Sequence, residues 1–262
     1  MSLLLSLLVA GALVRDVSFL NSTGGRTGAY LVEPAAKAAK KGPAVLFVHW
    51  LETDAPDSNR TQFLREAIPL ARDGVTSLLI ETMWSNPKWF LTRDSSRDVE
   101  ESERQVRDLA KALDFLLKQS HVDPKRVAYV GHDFGAMYGM VLASRDKRVK
   151  AWALQAGTAS FSDWFLYYPK REGADRQAFI DRLAPLDPVK HIADATPLLL
   201  QFGTKDPFVP EARAKLLIEA AREPKTVLWY EAGHPLTDKA VEDRLVWLRQ
   251  KLSIAKPPAR IP

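Results

Sequence analysis

The sequence has 262 residues, a formal net charge of +5 and a sequence pI of about 9.3. Its 46% hydrophobic and 26% charged residues are typical of a globular protein and exclude a disordered or fibrous chain. Basic residues are spread among acidic ones, which argues against a nucleic-acid-binding face, and the absence of cysteine excludes disulfides, thiolate metal sites and a cysteine nucleophile.

Residues 1–15 form an apolar segment whose role the sequence leaves open. The run from Ser2 to Val14 is too short to cross a bilayer as a helix, and it lacks the basic flank of a secretory signal. Ala10-Gly11-Ala12 nevertheless resembles a cleavage site, so residues 1–12 could be the signal peptide of a secreted or periplasmic protein. We expect a packed extension, a cytoplasmic location and no stable membrane span.

Residues 16–254 alternate between strand-like and helix-like segments, which predicts one α/β domain with a mostly parallel central sheet flanked by helices. Two short apolar runs around a turn at 21–25 predict an opening hairpin. An insert at about 157–195 predicts a short cap, and 255–262 is a Pro-rich tail. The predicted strands are 16–20, 28–33, 44–49, 75–80, 126–130, 149–155, 197–202 and 226–230, and the predicted helices are 60–73, 99–117, 136–144, 210–222 and 237–252.

The segment Gly131-His132-Asp133-Phe134-Gly135 joins the strand at 126–130 directly to the following helix. A Gly-x-nucleophile-x-Gly sequence in that context is a nucleophile elbow, a turn so sharp that its glycine positions have no room for side chains. The central residue projects above the carboxyl end of the sheet. Here that residue is Asp133.

An acid and a histidine follow the elbow in the order that such sites use. Asp206 comes after the predicted strand at 197–202, and His234 comes after the strand at 226–230. Both residues therefore belong to loops at the carboxyl edge of the sheet, where open α/β sheets bind their ligands. The pattern predicts that Asp133, Asp206 and His234 form one catalytic site.

With these motifs, the chain resembles the α/β-hydrolase superfamily from about residue 16 to 253. Its layout around Asp206 and the Ala-Gly-His segment ending at His234 is similar to dienelactone-hydrolase-like members. Its elbow resembles those of epoxide hydrolases and haloalkane dehalogenases, which use an aspartate nucleophile. A carboxylate is a poor acyl nucleophile but can displace at a saturated carbon.

The elbow resemblance implies that Asp133 forms an alkyl ester with an epoxide or carbon–halogen substrate. His234, oriented by Asp206, would then activate the water that hydrolyses this ester. The oxyanion formed at Asp133 needs backbone N–H donors, which we expect from Phe134 and from Trp50 or Leu51.

The expected substrate pocket departs from the epoxide-hydrolase pattern. The loop His49-Trp50-Leu51-Glu52 replaces His-Gly-x-Pro, which places an indole near the oxyanion site and a second carboxylate, Glu52, at the catalytic edge. Aromatic residues could either line the wall or act chemically, the tyrosines as proton donors and the tryptophans as halide ligands. The pocket candidates are Glu52, Trp84, Trp89, Trp164, Tyr167 and Tyr168.

No residues have metal-ligand spacing and no Gly-rich phosphate loop is present, so we expect no metal and no cofactor. The expected partners are a small-molecule substrate and water, with no nucleic acid, and the oligomeric state stays open. Two alternatives remain: a dienelactone-hydrolase-like carboxylic-ester hydrolase in which Asp133 acts as a base, and a ligand-binding or scaffold protein that retains the fold without catalysis.

Overall fold

The structure, a computed structural model, describes residues 6–9, 11–36, 40–54 and 59–254. The Pro-rich tail 255–262 and residues 1–5 and 10 of the N-terminal segment lie outside the described residues. The strands are β1 Ser6–Val9, β2 Ala12–Leu20, β3 Arg26–Pro34, β4 Gly42–Val48, β5 Thr76–Ile80, β6 Val122–His132, β7 Ala151–Gln155, β8 Leu198–Gly203 and β9 Lys225–Tyr230. The α-helices are α1 Leu64–Arg72, α2 Trp89–Thr92, α3 Asp98–Leu117, α4 Phe134–Arg145, α5 Ser162–Phe165, α6 Gly173–Leu183, α7 Glu211–Ala220 and α8 Asp238–Lys251.

The strands form one sheet in the order β1-β2-β3-β5-β4-β6-β7-β8-β9. β1, β2 and β3 pair antiparallel, and β3 also pairs antiparallel with β5. The six neighbouring strands β5, β4, β6, β7, β8 and β9 are parallel to one another. The predicted fold class is therefore confirmed, and the carboxyl ends of the parallel strands meet at one edge.

Helices cover both faces of the sheet because the parallel strands are apolar on both sides. In β4, Leu46 and Val48 face the core under α3 and α4, whereas Val45 and Phe47 face the core under α1 and α8. Almost every residue of α4 is buried. This packing holds the first turn of α4, which follows the elbow, rigidly against the sheet.

Two local features differ from the sequence-based boundaries. The hairpin is longer than expected, since β2 begins at Ala12 and β1 adds a further strand at the sheet edge. α1 begins at Leu64 and not at residue 60, because Asn59 has a positive φ of 66° and its side chain accepts a hydrogen bond from the Glu52 N–H. No helix within the described ranges is long and apolar enough to cross a membrane.

A buried ion pair joins α1 to α8. Arg244 donates to both carboxylate oxygens of Glu66, at 2.8 and 2.6 Å, and to the side-chain oxygen of Gln201 on β8 at 2.5 Å. All three side chains are buried. Because each charge has its partner, the pair links two helices and the strand β8.

Candidate active site

The elbow is built from backbone contacts that exclude side chains. A Cβ atom at Gly131 would lie 2.4 Å from the carbonyl oxygen of Gly135, and one at Gly135 would lie 2.1 Å from the carbonyl oxygen of Val48. Asp133 itself has φ 55° and ψ −117°, a conformation that a non-glycine residue adopts only under strain. Its N–H donates to the Gln155 carbonyl at 2.9 Å, which anchors the turn on β7.

The Asp133 carboxylate is almost completely removed from solvent, with 2% of the residue exposed. Burial raises the pKa of Asp133 to about 6, although the charge of His234 and the backbone N–H groups of Phe134 and Leu51 act to lower it. Its Oδ1 atom is buried and has no hydrogen-bond partner among the described residues. A desolvated, partly unsatisfied carboxylate is suited either to nucleophilic attack or to proton abstraction.

His234 and Asp206 form the second part of the site. Nδ1 of His234 lies 2.8 Å from Oδ2 of Asp206, whose Oδ1 accepts from the backbone N–H groups of Phe208 at 2.8 Å and Val209 at 3.1 Å. Burial opposes ionisation of both groups, but their mutual hydrogen bond lowers the pKa of Asp206 and raises that of His234. Nε2 of His234 is buried without a partner in the described structure, so it is free to act as a base.

The loop after β4 contains the two backbone donors that the sequence offered. The Trp50 N–H donates to Oε1 of Gln62, twelve positions further on, at 2.9 Å, so it is not available to an oxyanion at Asp133. The Leu51 and Phe134 N–H groups lower the pKa of the Asp133 carboxylate, which leaves these two as the candidate donors. The Trp50 indole packs on the His132 ring at 4.6 Å.

Two of the expected aromatic residues, Trp164 and Trp89, and one that the sequence did not single out, Phe208, lie beside the reacting groups. Trp164 packs 5.7 Å from the Phe134 ring and 5.8 Å from the His234 ring, and Trp89 lies edge-on to Phe134 at 5.8 Å. Phe208 packs 5.4 Å from the His234 ring. The indole Nε1 of Trp164 is buried and lacks a partner in the described ranges, which leaves a hydrogen-bond donor beside the site.

Four other pocket candidates lie elsewhere. Trp84 is fully buried behind Phe134 and donates its indole N–H to the His49 carbonyl, so it is a core residue. Glu52 is exposed. Tyr167 and Tyr168 are 54% and 46% exposed, and among the described residues no side-chain hydrogen bond or ring contact joins either of them to His234 or Asp133. The structure therefore does not bring these four residues to the reacting groups.

The sequence analysis missed three features of the site: Phe208, Gln62 and the hydrogen bond from His132 to the loop of His234. Phe208 follows Asp206 by two positions, a proximity that could have suggested a place beside the catalytic histidine. Nothing in the sequence around Gln62 indicates that its side chain binds the Trp50 N–H.

Among the described residues, no group of three or more histidine and acidic side chains could hold a metal ion. The site thus consists of acid–base groups, backbone donors and aromatic walls.

Comparison with known proteins relates the chain to an enzyme family. Residues 97–249 match the model of the prolyl oligopeptidase family. The polyketide transferase ATR5 of Stachybotrys chlorohalonatus is 29% identical over 147 residues, which is 56% of this chain and 46% of that protein. The uncharacterized peptidase YuxL of Bacillus subtilis is 28% identical over 149 residues, 50% of this chain and 22% of that protein. The chain thus spans under half the length of these two relatives.

Solved structures show the same fold. A putative dienelactone hydrolase from Klebsiella pneumoniae superposes with a TM-score of 0.68 at 16% identity, covering 93% of this chain and 99% of that one. An acetyl xylan esterase from Paenibacillus sp. R4 superposes with a TM-score of 0.77 at 16% identity, covering 95% and 88%. These similarities confirm the α/β-hydrolase fold and its dienelactone-hydrolase-like layout.

Proposed function

The chain belongs to the prolyl oligopeptidase family and has the α/β-hydrolase fold, and from this premise we propose that it is a hydrolase in which Asp133 attacks a saturated carbon. One observation carries the proposal: the elbow presents a buried carboxylate, Asp133, at the position of the nucleophile, in a site with the hydrogen-bonded pair of His234 and Asp206 at 2.8 Å. In an acyl-transfer enzyme the backbone donors stabilise an oxygen of the substrate. At Asp133 the backbone N–H groups of Phe134 and Leu51 lower the pKa of the carboxylate, which suits donors that would stabilise the oxyanion of its ester.

The proposed reaction has two steps. An Asp133 oxygen attacks the substrate carbon, and the bond from that carbon to its leaving group breaks, with the electron pair going to the leaving group. Nε2 of His234 then takes a proton from water, and the hydroxide adds to the Asp133 carboxyl carbon. Phe134 and Leu51 stabilise the resulting oxyanion. Collapse leaves Asp133 as the carboxylic acid and releases the product alkoxide, which takes the proton back from His234. Asp133 then loses its proton to solvent, which restores the carboxylate for the next turnover.

The surroundings favour a leaving group that departs as a stable anion. An epoxide oxygen needs a proton as it leaves, and among the described residues neither Tyr167 nor Tyr168, which are exposed, has a side-chain hydrogen bond or ring contact with His234 or Asp133. A halide needs only a hydrogen-bond donor, and the unpartnered Nε1 of Trp164 lies beside Phe134 and His234. Within the proposal, a carbon–halogen bond therefore fits better than an epoxide.

Hydrolysis of a carboxylic ester is the second candidate, and the comparisons support it better than epoxide or carbon–halogen chemistry. The family name denotes a peptidase, and proteins of the same fold bear the names dienelactone hydrolase and acetyl xylan esterase. Asp133 would here act as a base for direct attack by water. The rise of its pKa to about 6 suits that role, because a general base is most effective when its pKa lies near the working pH.

Intact-protein mass spectrometry on a His234→Gln variant separates the candidates. Under the leading proposal, incubation with haloalkane and epoxide panels leaves an adduct on Asp133, because the alkyl ester forms but is not hydrolysed. Asp133→Asn should form no adduct, and His191→Gln, which changes a histidine outside the site, should turn over without accumulating one. Turnover of p-nitrophenyl esters by the unmodified protein, with no adduct from either panel, would instead support the ester hydrolase.

Isotope labelling gives an independent check. In a single turnover in H₂¹⁸O, the leading proposal places the label in the Asp133 carboxylate and leaves the product alcohol unlabelled, because that oxygen comes from the side chain. Direct attack by water would label the product in the first turnover. If the protein neither forms adducts nor hydrolyses any ester, a ligand-binding or scaffold role replaces both candidates.

A further inference from the structure

His132, the residue before Asp133, contacts two of the loops that build the site. Its side chain is buried at the end of β6, and its Nε2 lies 2.9 Å from the backbone carbonyl oxygen of His234. The ring centroid is 4.6 Å from that of Trp50, in the loop after β4, and 5.1 Å from that of the His234 ring. One side chain of the elbow therefore bridges the oxyanion loop and the loop of the catalytic base.

The chemistry of this contact defines the state of the His132 ring. A carbonyl oxygen can only accept a hydrogen bond, so Nε2 of His132 must carry a proton. Burial holds the pKa of His132 well below its usual range, and the charges of His234 and Arg244 lower it further. His132 is thus a neutral donor that stays uncharged while its neighbour, His234, gains and loses a proton.

Among the described residues, the hydrogen bond given to the His234 carbonyl oxygen comes from Nε2 of His132, while the turn around it is closed by the Leu236 N–H, which donates to the Gly233 carbonyl at 3.2 Å. The next residue, Pro235, has no N–H to donate, and Leu236 has a positive φ of 63°. The direction of the His234 carbonyl depends on the ψ angle of His234, and the ring is attached to the same Cα. Fixing the carbonyl therefore restricts where the imidazole lies relative to Asp206 and Asp133.

We propose that His132 is a positioning residue whose Nε2–H holds the His234 loop so that Nδ1 meets Asp206 and Nε2 remains available to water. The proposal depends on His234 being the base of the proposed function. It predicts that His132 supports the hydrolysis of the Asp133 ester and not its formation, since the first step does not require His234.

Two substitutions of similar size test this role. His132→Gln keeps an N–H donor that reaches the carbonyl, whereas His132→Met fills the space without one. With a substrate that alkylates Asp133, we expect the Met variant to hydrolyse the adduct about tenfold more slowly, the effect of one net hydrogen bond. Adduct formation should stay unchanged, so the alkylated fraction at steady state rises. The Gln variant should hydrolyse the adduct at nearly the original rate.

A measurement without substrate keeps this test separate from the proposed function. In proton NMR, the Nδ1–H of His234 bonded to Asp206 should give a downfield resonance that persists in His132→Gln and disappears in His132→Met, with both variants matching the parent in far-UV circular dichroism. That result supports positioning even if no substrate ever forms an adduct. Persistence of the resonance in both variants, or its equal loss in both, overturns the proposal.

Discussion

Replacing Asp133 with asparagine should stabilise the protein at neutral pH while abolishing the proposed chemistry. Burial raises the pKa of Asp133 from 3.8 to about 6, so the folded protein holds this proton over a pH range in which the unfolded chain has lost it. Stability therefore falls as the pH rises through that window. Each pKa unit is worth about 1.4 kcal/mol, so the ionised side chain lowers the free energy of unfolding by about 3 kcal/mol at pH 7 and only about 0.5 kcal/mol at pH 4.

Urea unfolding of the parent and the Asp133→Asn variant at both pH values measures this difference directly. The free energy of unfolding of the variant minus that of the parent should be about 2 to 3 kcal/mol larger at pH 7 than at pH 4. For a chain of this length, that corresponds to a rise in relative Tm of about 5 °C. Titrating groups outside the site cancel because both proteins contain them, whereas His234 does not, since the charge of Asp133 raises its pKa; repeating the pair in a His234→Gln background removes that contribution. A stability difference that stays constant between pH 4 and pH 7 would refute the reasoning, since it would mean that Asp133 titrates alike in the folded and unfolded states.

The remaining predictions concern the steps of the reaction and the support of the site. In His234→Gln, the rate of Asp133 alkylation, followed by rapid-quench mass spectrometry, should rise with pH around a midpoint of about 6 or higher, because removing His234 removes a charge that lowers the Asp133 pKa. A midpoint near 4 would contradict this. Asp206→Asn should slow adduct hydrolysis by roughly two to four orders of magnitude, since it removes the negatively charged acceptor that fixes the tautomer of His234. An unchanged single-turnover rate would exclude that role. Arg244→Met should lower the free energy of urea unfolding by about 3 to 5 kcal/mol by leaving Glu66 buried and unpaired. Adding Glu66→Leu should recover most of the loss, and no recovery would show that packing and not charge dominates.

The sequence predicted those features that depend on short-range patterns. Alternating apolar runs and helical spacings predicted the α/β class, because secondary structure and its burial leave a periodic record in the chain. The elbow at Gly131 to Gly135 was recognisable because its strand, glycines and helix are contiguous. The chain order of Asp206 and His234 placed both at the carboxyl edge of the sheet, and the structure brings them to 2.8 Å.

Only the tertiary structure decided which side chains meet at that edge. Trp50 is excluded as an oxyanion donor by Gln62, and Trp84 lies behind Phe134 in the core, whereas Trp164 from the cap insert approaches His234. No local pattern distinguishes these tryptophans, because their places depend on loops that come together across the sheet. The pKa of Asp133 is likewise a property of the assembled site, since it reflects burial by elements distant along the chain and the nearby charge of His234. The sequence alone predicted the fold and the residue at the elbow, and the packing determined which side chains surround that residue.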